Sequence, residues 1–378
     1  MMYCTSSGRQ PDLKTFLSNY PRKATPTMST HYDERKKAIQ QFIAPFIQRG
    51  PDGATLDANF VNKLKTEASD GDALETILDI RKDLYNAQSF GPLSDDLIRL
   101  DDALQSFLKG ELAGDDLICQ PIDPMFTHPT ILKRLIEHEA VHPYSDPKGI
   151  FDRIRPGRLC LVLFHRRLPM LPLMSLYIAL TEGIASNMDV INSPHVDLTK
   201  IDSAMFYSIS SLHSGLKNVD LGHLLIGKAT EYLMINPSIK NFCTLSPIPN
   251  FKNYLKRRAV SDQPTTDLLA AVTFNNLESY KFALLSSCLR YIMTEKKRNN
   301  KAMDPVCNFH LKNGASVYRL NWRGDMSEHR LNESYGIMIN YLYQPDVKKA
   351  NSQNYKQNGT IIHQDPLNQL AHQLNITI

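Results

Sequence analysis

Apolar residues recur at three- and four-residue intervals through "YDERKKAIQQFIAPFIQ", "NFVNKLKTEASDGDALETILDIRKDLYNA" and "LSDDLIRLDDALQSFLKG", with Gly, Pro and Asp between these runs. That spacing brings apolar side chains to one face at every helical turn, so residues 31–140 read as a small helical bundle. After Pro156 and Gly157 the texture changes. "RLCLVLFH" (158–165), "LMSLYIALT" (173–181) and "MFYSISSL" (205–212) are short and apolar, which predicts strands. A loop holding Gly215 and Gly222 then enters a stretch with Leu221, Leu224, Leu225, Ala229 and Leu233 on one helical face, ended near Pro237. "NFCTLS" follows as the next strand, completing a β-α-β unit. Residues 262–298 return to helical spacing, and "YGIMINYLY" (335–343) reads as a final strand. The fold class expected is therefore α+β, a helical part first and a sheet-bearing part after it.

Bulk properties narrow the function without naming it. At 378 residues the chain exceeds one typical domain. With 42% apolar and 22% charged residues it has the composition of a globular protein. A net charge of +4 is too small to point to nucleic acid, though it suits a phosphorylated or carboxylated small substrate. No apolar run reaches the roughly 18 residues that a membrane-spanning helix requires. Six scattered cysteines, with no C-x-x-C pair, fit a reducing compartment better than a disulfide framework. The first thirty residues hold Arg9, Lys14, Arg22 and Lys23 against one acid, Asp12, and nine Ser or Thr. Residues 1–30 are either a mitochondrial leader or a disordered tail. The chain ends "NITI" rather than in an S-K-L peroxisomal address, so the mitochondrial matrix is favoured over the cytosol, and the peroxisome less.

Five places invite chemistry. "HEAVH" (138–142) matches the H-E-x-x-H pattern of zinc peptidases, but Pro143 disfavours helical geometry at His142, so a fraying helix end with a chance match is the better reading. The loop "SGLKNVDLG" opens a helix after a strand, where unpaired N–H groups and the helix dipole favour a phosphate. The outgoing strand ends at Ser246 in "TLSPIPNF", held by Pro247 and Pro249, each of which fixes φ and lacks an N–H. "DPVCNFHLKNGA" (304–315) places His310 in a segment too polar for a plain core helix, and "NYLY" (340–343) alternates two tyrosines.

Taken in order, "FYSIS…GLKNVDLG", "LSPIPNF", "DPVCNFHLKNGA", "YRLNW" and "NYLY", with "EAVHP" and "ALTEGIASN" before them, resemble the malonyl-CoA decarboxylase family over residues 137–362. The resemblance implies an N-terminal helical bundle (31–140) that mediates oligomerisation, followed by a catalytic domain of the GNAT acetyltransferase type (141–378), with subunits in a homotetramer. It implies that Lys217, Asn218, Val219, Asp220, Leu221, Gly222 and His223 form the loop receiving the coenzyme A pyrophosphate. It implies Ser246 and His310 as catalytic residues, with Tyr343 lining the same site. The family's Glu is here Asp220, a loop Gly is Asn218, and the Gly after SPIP is Asn250. The implied reaction is decarboxylation of malonyl-CoA to acetyl-CoA in fatty acid metabolism, with neither metal nor organic cofactor. The substrate's own thioester absorbs the electron pair. The runner-up is an acyl-CoA-dependent acyltransferase of the same fold, and behind it stand a non-enzymatic coenzyme A sensor and a zinc peptidase.

Overall fold

Helices fill the first part of the chain: Leu13–Asn19, Ser29–Ile43, Ala58–Glu67, Gly71–Ala87, Asp95–Glu111 and Pro129–Glu137. The structure is a computed structural model that describes residues 13–20, 29–50, 53–67 and 70–378. The stretch 1–30, expected as a leader or tail, lies largely outside the described residues; within it, Leu13–Asn19 is helical with Leu13 and Leu17 buried. Helix Gly71–Ala87 begins at Asp70, whose carboxylate accepts from the Ala73 N–H at 2.7 Å, a cap that stabilises a helix by about 1 kcal/mol. Its apolar stripe of Leu74, Ile77, Leu78 and Leu84 is buried, and so are its Arg81 and Asp83. Asp83 accepts from Arg35 at 2.6 Å and from the Tyr20 hydroxyl at 2.7 Å, so this buried charge is paired.

The helical period is realised, but short strands interrupt it. Strand β1 (Ile47–Gly50) pairs antiparallel with β2 (Gly53–Leu56), and β3 (Leu117–Pro121) lies at one end of the main sheet. Runs of four or five residues are too short to impose an alternation that stands out in sequence. The main sheet continues with β4 (Arg158–His165), β5 (Met174–Thr181), β6 (Ser203–Ser211), β7 (Asn241–Thr244), β8 (Ser246–Pro247), β9 (Ser316–Asn321) and β10 (Met338–Tyr343). Its order is β3-β4-β5-β6-β7-β10-β8, with β9 also paired to β10. Strands β6 and β7 run parallel, joined through helix Gly222–Leu233, while β10 is antiparallel to β7, β8 and β9. This is the expected β-α-β unit. Strands β4 to β6 are buried along nearly their whole length, which is why they read as continuous apolar runs rather than alternating ones.

The chain forms two compact units. The first holds Met1–Pro147, Val162–Ser175 and Ser210–Leu221; the second holds Lys148–Leu161, Leu176–Ile209 and Gly222–Ile378. The units do not follow one cut in the sequence: the turn from β4 to β5 and the end of β6 belong with the helices of the first. Among the described residues no helix is long and apolar enough to cross a membrane.

Candidate active site

Ser246 sits where a strand breaks and resumes. Strands β7 and β8 share one register against β10: Phe242 and Cys243 face Tyr343 and Leu342, then Ser246 and Pro247 face Ile339 and Met338. Between them side chains replace the backbone ladder. The Tyr341 N–H donates to Thr244 Oγ1 at 3.0 Å, and Asn340 Nδ2 donates to the Thr244 carbonyl at 2.6 Å. On its other edge, β10 shifts register against β9 between Asn340 and Tyr341. Pro247, with no N–H to give, suits the short resumed strand. The break gives the hydroxyls of Thr244 and Ser246 side-chain partners in place of a regular ladder.

His310 arrives on helix Pro305–Lys312. Asp304 caps that helix by accepting from Cys307 N–H at 2.8 Å, and Pro305 occupies the first helical position, where its missing N–H costs nothing. His310 Nε2 lies 3.1 Å from Ser246 Oγ, which in turn lies 2.9 Å from Thr244 Oγ1. On the other side of the ring, Nδ1 lies 2.8 Å from the Tyr343 hydroxyl. The imidazole stacks on Tyr341 at 4.5 Å between centroids and meets Phe309 edge-on at 5.0 Å. Enclosed in this way, the imidazole is pushed down by burial to a pKa of about 3, so it is neutral at pH 7. A neutral ring carries one N–H, and the chain Tyr343–His310–Ser246–Thr244 can therefore be filled in two ways. Either Tyr343 donates to Nδ1 and Nε2–H donates to Ser246, or Nδ1–H donates to Tyr343 and Ser246 donates to Nε2.

The loop expected to hold a pyrophosphate is mixed in character. Lys217, Asn218 and His223 are exposed, Asp220 is half-buried, and Val219, Leu221 and Gly222 are buried. Val219 and Leu221 thus anchor the loop, and their N–H groups are used within it, donating to the Leu216 and Val219 carbonyls at 2.9 Å each. Asn218 adopts φ +63°, a left-handed conformation that Asn tolerates better than other residues with a side chain, which accounts for Asn where the family has Gly. Asn250 stands at the N-cap position of helix Phe251–Arg258, without a side-chain cap bond, and at φ −106° it needs no glycine. A β-carbon on Gly222 would lie 2.5 Å from the Phe309 ring, so glycine lets the start of helix Gly222–Leu233 pack against the helix of His310.

Of the predicted residues, the structure joins Ser246, His310 and Tyr343 in one hydrogen-bonded chain and sets Gly222 beside its helix. Lys217 to Leu221 fall in the first compact unit, Gly222 and His223 in the second. Thr244 and Asn340 are missed by sequence reasoning; a Thr and an Asn inside apolar strands were the available signal. The "HEAVH" segment lacks the geometry of its pattern. Helix Pro129–Glu137 ends before it, and His138 is the C-cap at φ −111°, ψ 7°. Glu139 instead accepts from the Val141 and His142 N–H groups at 3.0 and 2.9 Å and from the Ser210 hydroxyl at 3.2 Å.

Comparison with known proteins gives a family from sequence and a likeness of fold from structure. Residues 116–377 match the family model described as malonyl-CoA decarboxylase C-terminal domain. The mitochondrial malonyl-CoA decarboxylase of Anser anser anser is 34% identical over 262 residues, 60% of this chain and 52% of the relative. That of Rattus norvegicus is 33% identical over 263 residues, covering 60% and 53%. The chain thus spans about half the length of the curated relatives it matches. The crystal structure of malonyl-CoA decarboxylase from Cupriavidus metallidurans superposes with TM-score 0.76 at 24% identity over 96% of both chains, a likeness of fold. A model match reaching from β3 to the last helix, spanning Ser246, His310 and Tyr343, identifies the lineage: the chain belongs to the malonyl-CoA decarboxylase family.

Proposed function

We propose that this protein decarboxylates malonyl-CoA to acetyl-CoA and CO2. The observation that carries this reading is the buried chain Tyr343–His310–Ser246–Thr244, set at a broken strand in a chain of this family. Breaking the bond between the carboxylate and the methylene leaves its electron pair to the thioester carbonyl as an enolate. CO2 departs, and the enolate carbon takes one proton, which the medium restores. The protein has to hold the carboxylate out of the carbonyl plane, hydrogen-bond the growing oxyanion and supply that proton. A pre-oriented oxyanion donor contributes roughly 3–4 kcal/mol by mutational precedent, and a positioned acid about 10²–10⁴-fold. Because His310 is neutral, the donor near the reacting carbon is a neutral N–H or O–H, either His310 Nε2–H or Ser246 Oγ–H. The Tyr343 hydroxyl holds the other ring nitrogen and orients the ring, accepting or donating according to the tautomer.

In this reading residues 217–223 receive the coenzyme A pyrophosphate, and Asp220 belongs to the catalytic network in place of the family's glutamate. Asp220→Asn, which keeps size and capping ability, lowers kcat tenfold or more with little change in melting; a near-normal kcat would leave Asp220 as a helix cap only. The location is the mitochondrial matrix, supported by the mitochondrial names of the goose and rat relatives, and organelle fractionation that recovers the protein only in cytosol would refute it. The central test is incubation of purified protein with malonyl-CoA and EDTA, read by mass detection of acetyl-CoA. Stoichiometric acetyl-CoA is expected. Unchanged malonyl-CoA with folded protein sinks the assignment, and turnover only after adding an amine acceptor would instead establish an acyltransferase.

A further inference from the structure

Helix Gly71–Ala87 holds none of the groups assigned to chemistry, yet its Arg81 is only 3% exposed and bonded at every nitrogen. Arg81 Nε donates to Asp101 Oδ1 at 2.7 Å, which fixes the plane of the guanidinium. Nη1 donates to the Gly215 carbonyl at 2.5 Å, and Nη2 to the Lys217 carbonyl at 3.1 Å. Neighbouring groups reinforce the same loop. Gln105 Nε2 donates to the Asn218 carbonyl at 3.0 Å, and the Lys217 ammonium lies 3.7 Å over the Tyr85 ring. The Gly215 N–H donates to His213 Nδ1 at 3.1 Å, and His213 Nε2 stands 3.4 Å from Asp79. A β-carbon on Gly215 would lie 2.1 Å from the Leu78 carbonyl, so the loop sits directly on this helix.

This wiring has an electrostatic consequence. A trans peptide holds its C=O and its N–H on opposite sides. Turning the Lys217 carbonyl toward Arg81 therefore turns the Asn218 N–H away from the helix, at the residue whose φ of +63° reverses the chain. The Lys217 and Val219 N–H groups on either side donate to the Ser214 and Leu216 carbonyls at 3.1 and 2.9 Å, so the outward Asn218 N–H is the donor this stretch offers an anion. The guanidinium suits this task because its planar fork meets two carbonyls and a carboxylate at once, which an ammonium cannot do. We propose that Arg81 is a positioning residue for coenzyme A: it holds the backbone of residues 215–218 in the form that receives the pyrophosphate. The proposal rests on the reading of residues 217–223 as the coenzyme site.

The test uses the full-length protein and free coenzyme A. In the wild type, coenzyme A slows amide exchange in the peptide covering residues 215–221. Arg81→Lys keeps the charge but not the fork. It should raise the Kd of coenzyme A and the KM for malonyl-CoA tenfold or more, with kcat within threefold of wild type and faster exchange in the unliganded loop. Asp101→Asn keeps the guanidinium and loosens its plane; a Kd at least threefold higher is expected, and this variant decides alone should Arg81→Lys fail to fold. A Kd within twofold of wild type in the folded variants, or a loss confined to kcat, overturns the positioning role. Absence of coenzyme protection over residues 215–221 in the wild type shows that the loop reading itself is wrong, and the role of Arg81 falls with it.

Discussion

At the residue scale, Ser246, His310 and Tyr343 each contribute a separable effect. Ser246→Ala removes one hydroxyl but leaves Thr244 Oγ1 its bond from the Tyr341 N–H, so the broken strand keeps its shape. A fall in kcat of about 10² or more with nearly unchanged melting is expected; near-normal kcat would remove Ser246 from the mechanism. Tyr343→Phe strips the partner from His310 Nδ1 inside the core. It should lower kcat and cost about 1–3 kcal/mol of stability, since a buried nitrogen loses its hydrogen bond. The imidazole also makes stability depend on pH. Burial lowers the folded pKa of His310 to about 3, below the usual value of 6.5. The unfolded chain therefore takes up a proton first, and the stability present above pH 6.5 is lost as pH falls toward 3. Denaturant unfolding should show wild type losing its margin over His310→Asn between pH 6.5 and 4. A constant difference across that range would contradict the buried neutral ring.

Asp304 governs the element that carries His310. It is fully buried at the helix N-cap, accepting from Cys307 N–H at 2.8 Å and from the Tyr291 hydroxyl at 3.3 Å. Burial raises its carboxyl to a pKa of about 6, although those hydrogen bonds pull the other way. For an acid with a raised folded pKa, the stability present below 3.8 is lost as pH rises through 6. An amide accepts the same cap bond without a charge. Asp304→Asn should thus gain on wild type between pH 4 and pH 8, by on the order of 2–3 kcal/mol for a shift of about two units. Parallel denaturation curves at those pH values check it, and a pH-independent difference would mean that the carboxyl is not held protonated. Asp304-Pro305 carries a helix-start signature that the sequence reading did not use. Strand β9 was not legible in sequence, because "SVYRLN" places Arg319 and Asn321 where an apolar run would mark a strand.

For the whole molecule, residues 31–140 supply most of the first unit and leave several large apolar side chains in water. Phe90 is 58% exposed, Met125 80% and Phe126 88%. Self-association through residues 31–140 is what the family resemblance implies, and these side chains are candidates to be covered by it. Light scattering at micromolar concentration should give a multiple of 42.9 kDa, and a monomer mass would refute self-association.

The local rules of the chain determined several of its elements and singled out Ser246 and His310, whose catalytic roles only the family resemblance implied. Continuous apolar runs fixed β4, β5 and β6, the glycine loop and its helix fixed the β-α-β unit, Pro247 and Pro249 marked Ser246, and the polarity of residues 304–315 marked His310. Only the tertiary structure decided how those groups are wired. Ser246 and His310 stand 64 residues apart, and their contact depends on a strand break whose lost ladder bonds pass to Thr244 and Asn340. Arg81 and Gly215 are 134 residues apart. On a helix, a charged residue facing solvent and one facing a distant loop obey the same period, so pattern alone gave Arg81 no distinction. What separates them is burial with a matched set of acceptors, and that exists only once the chain has folded.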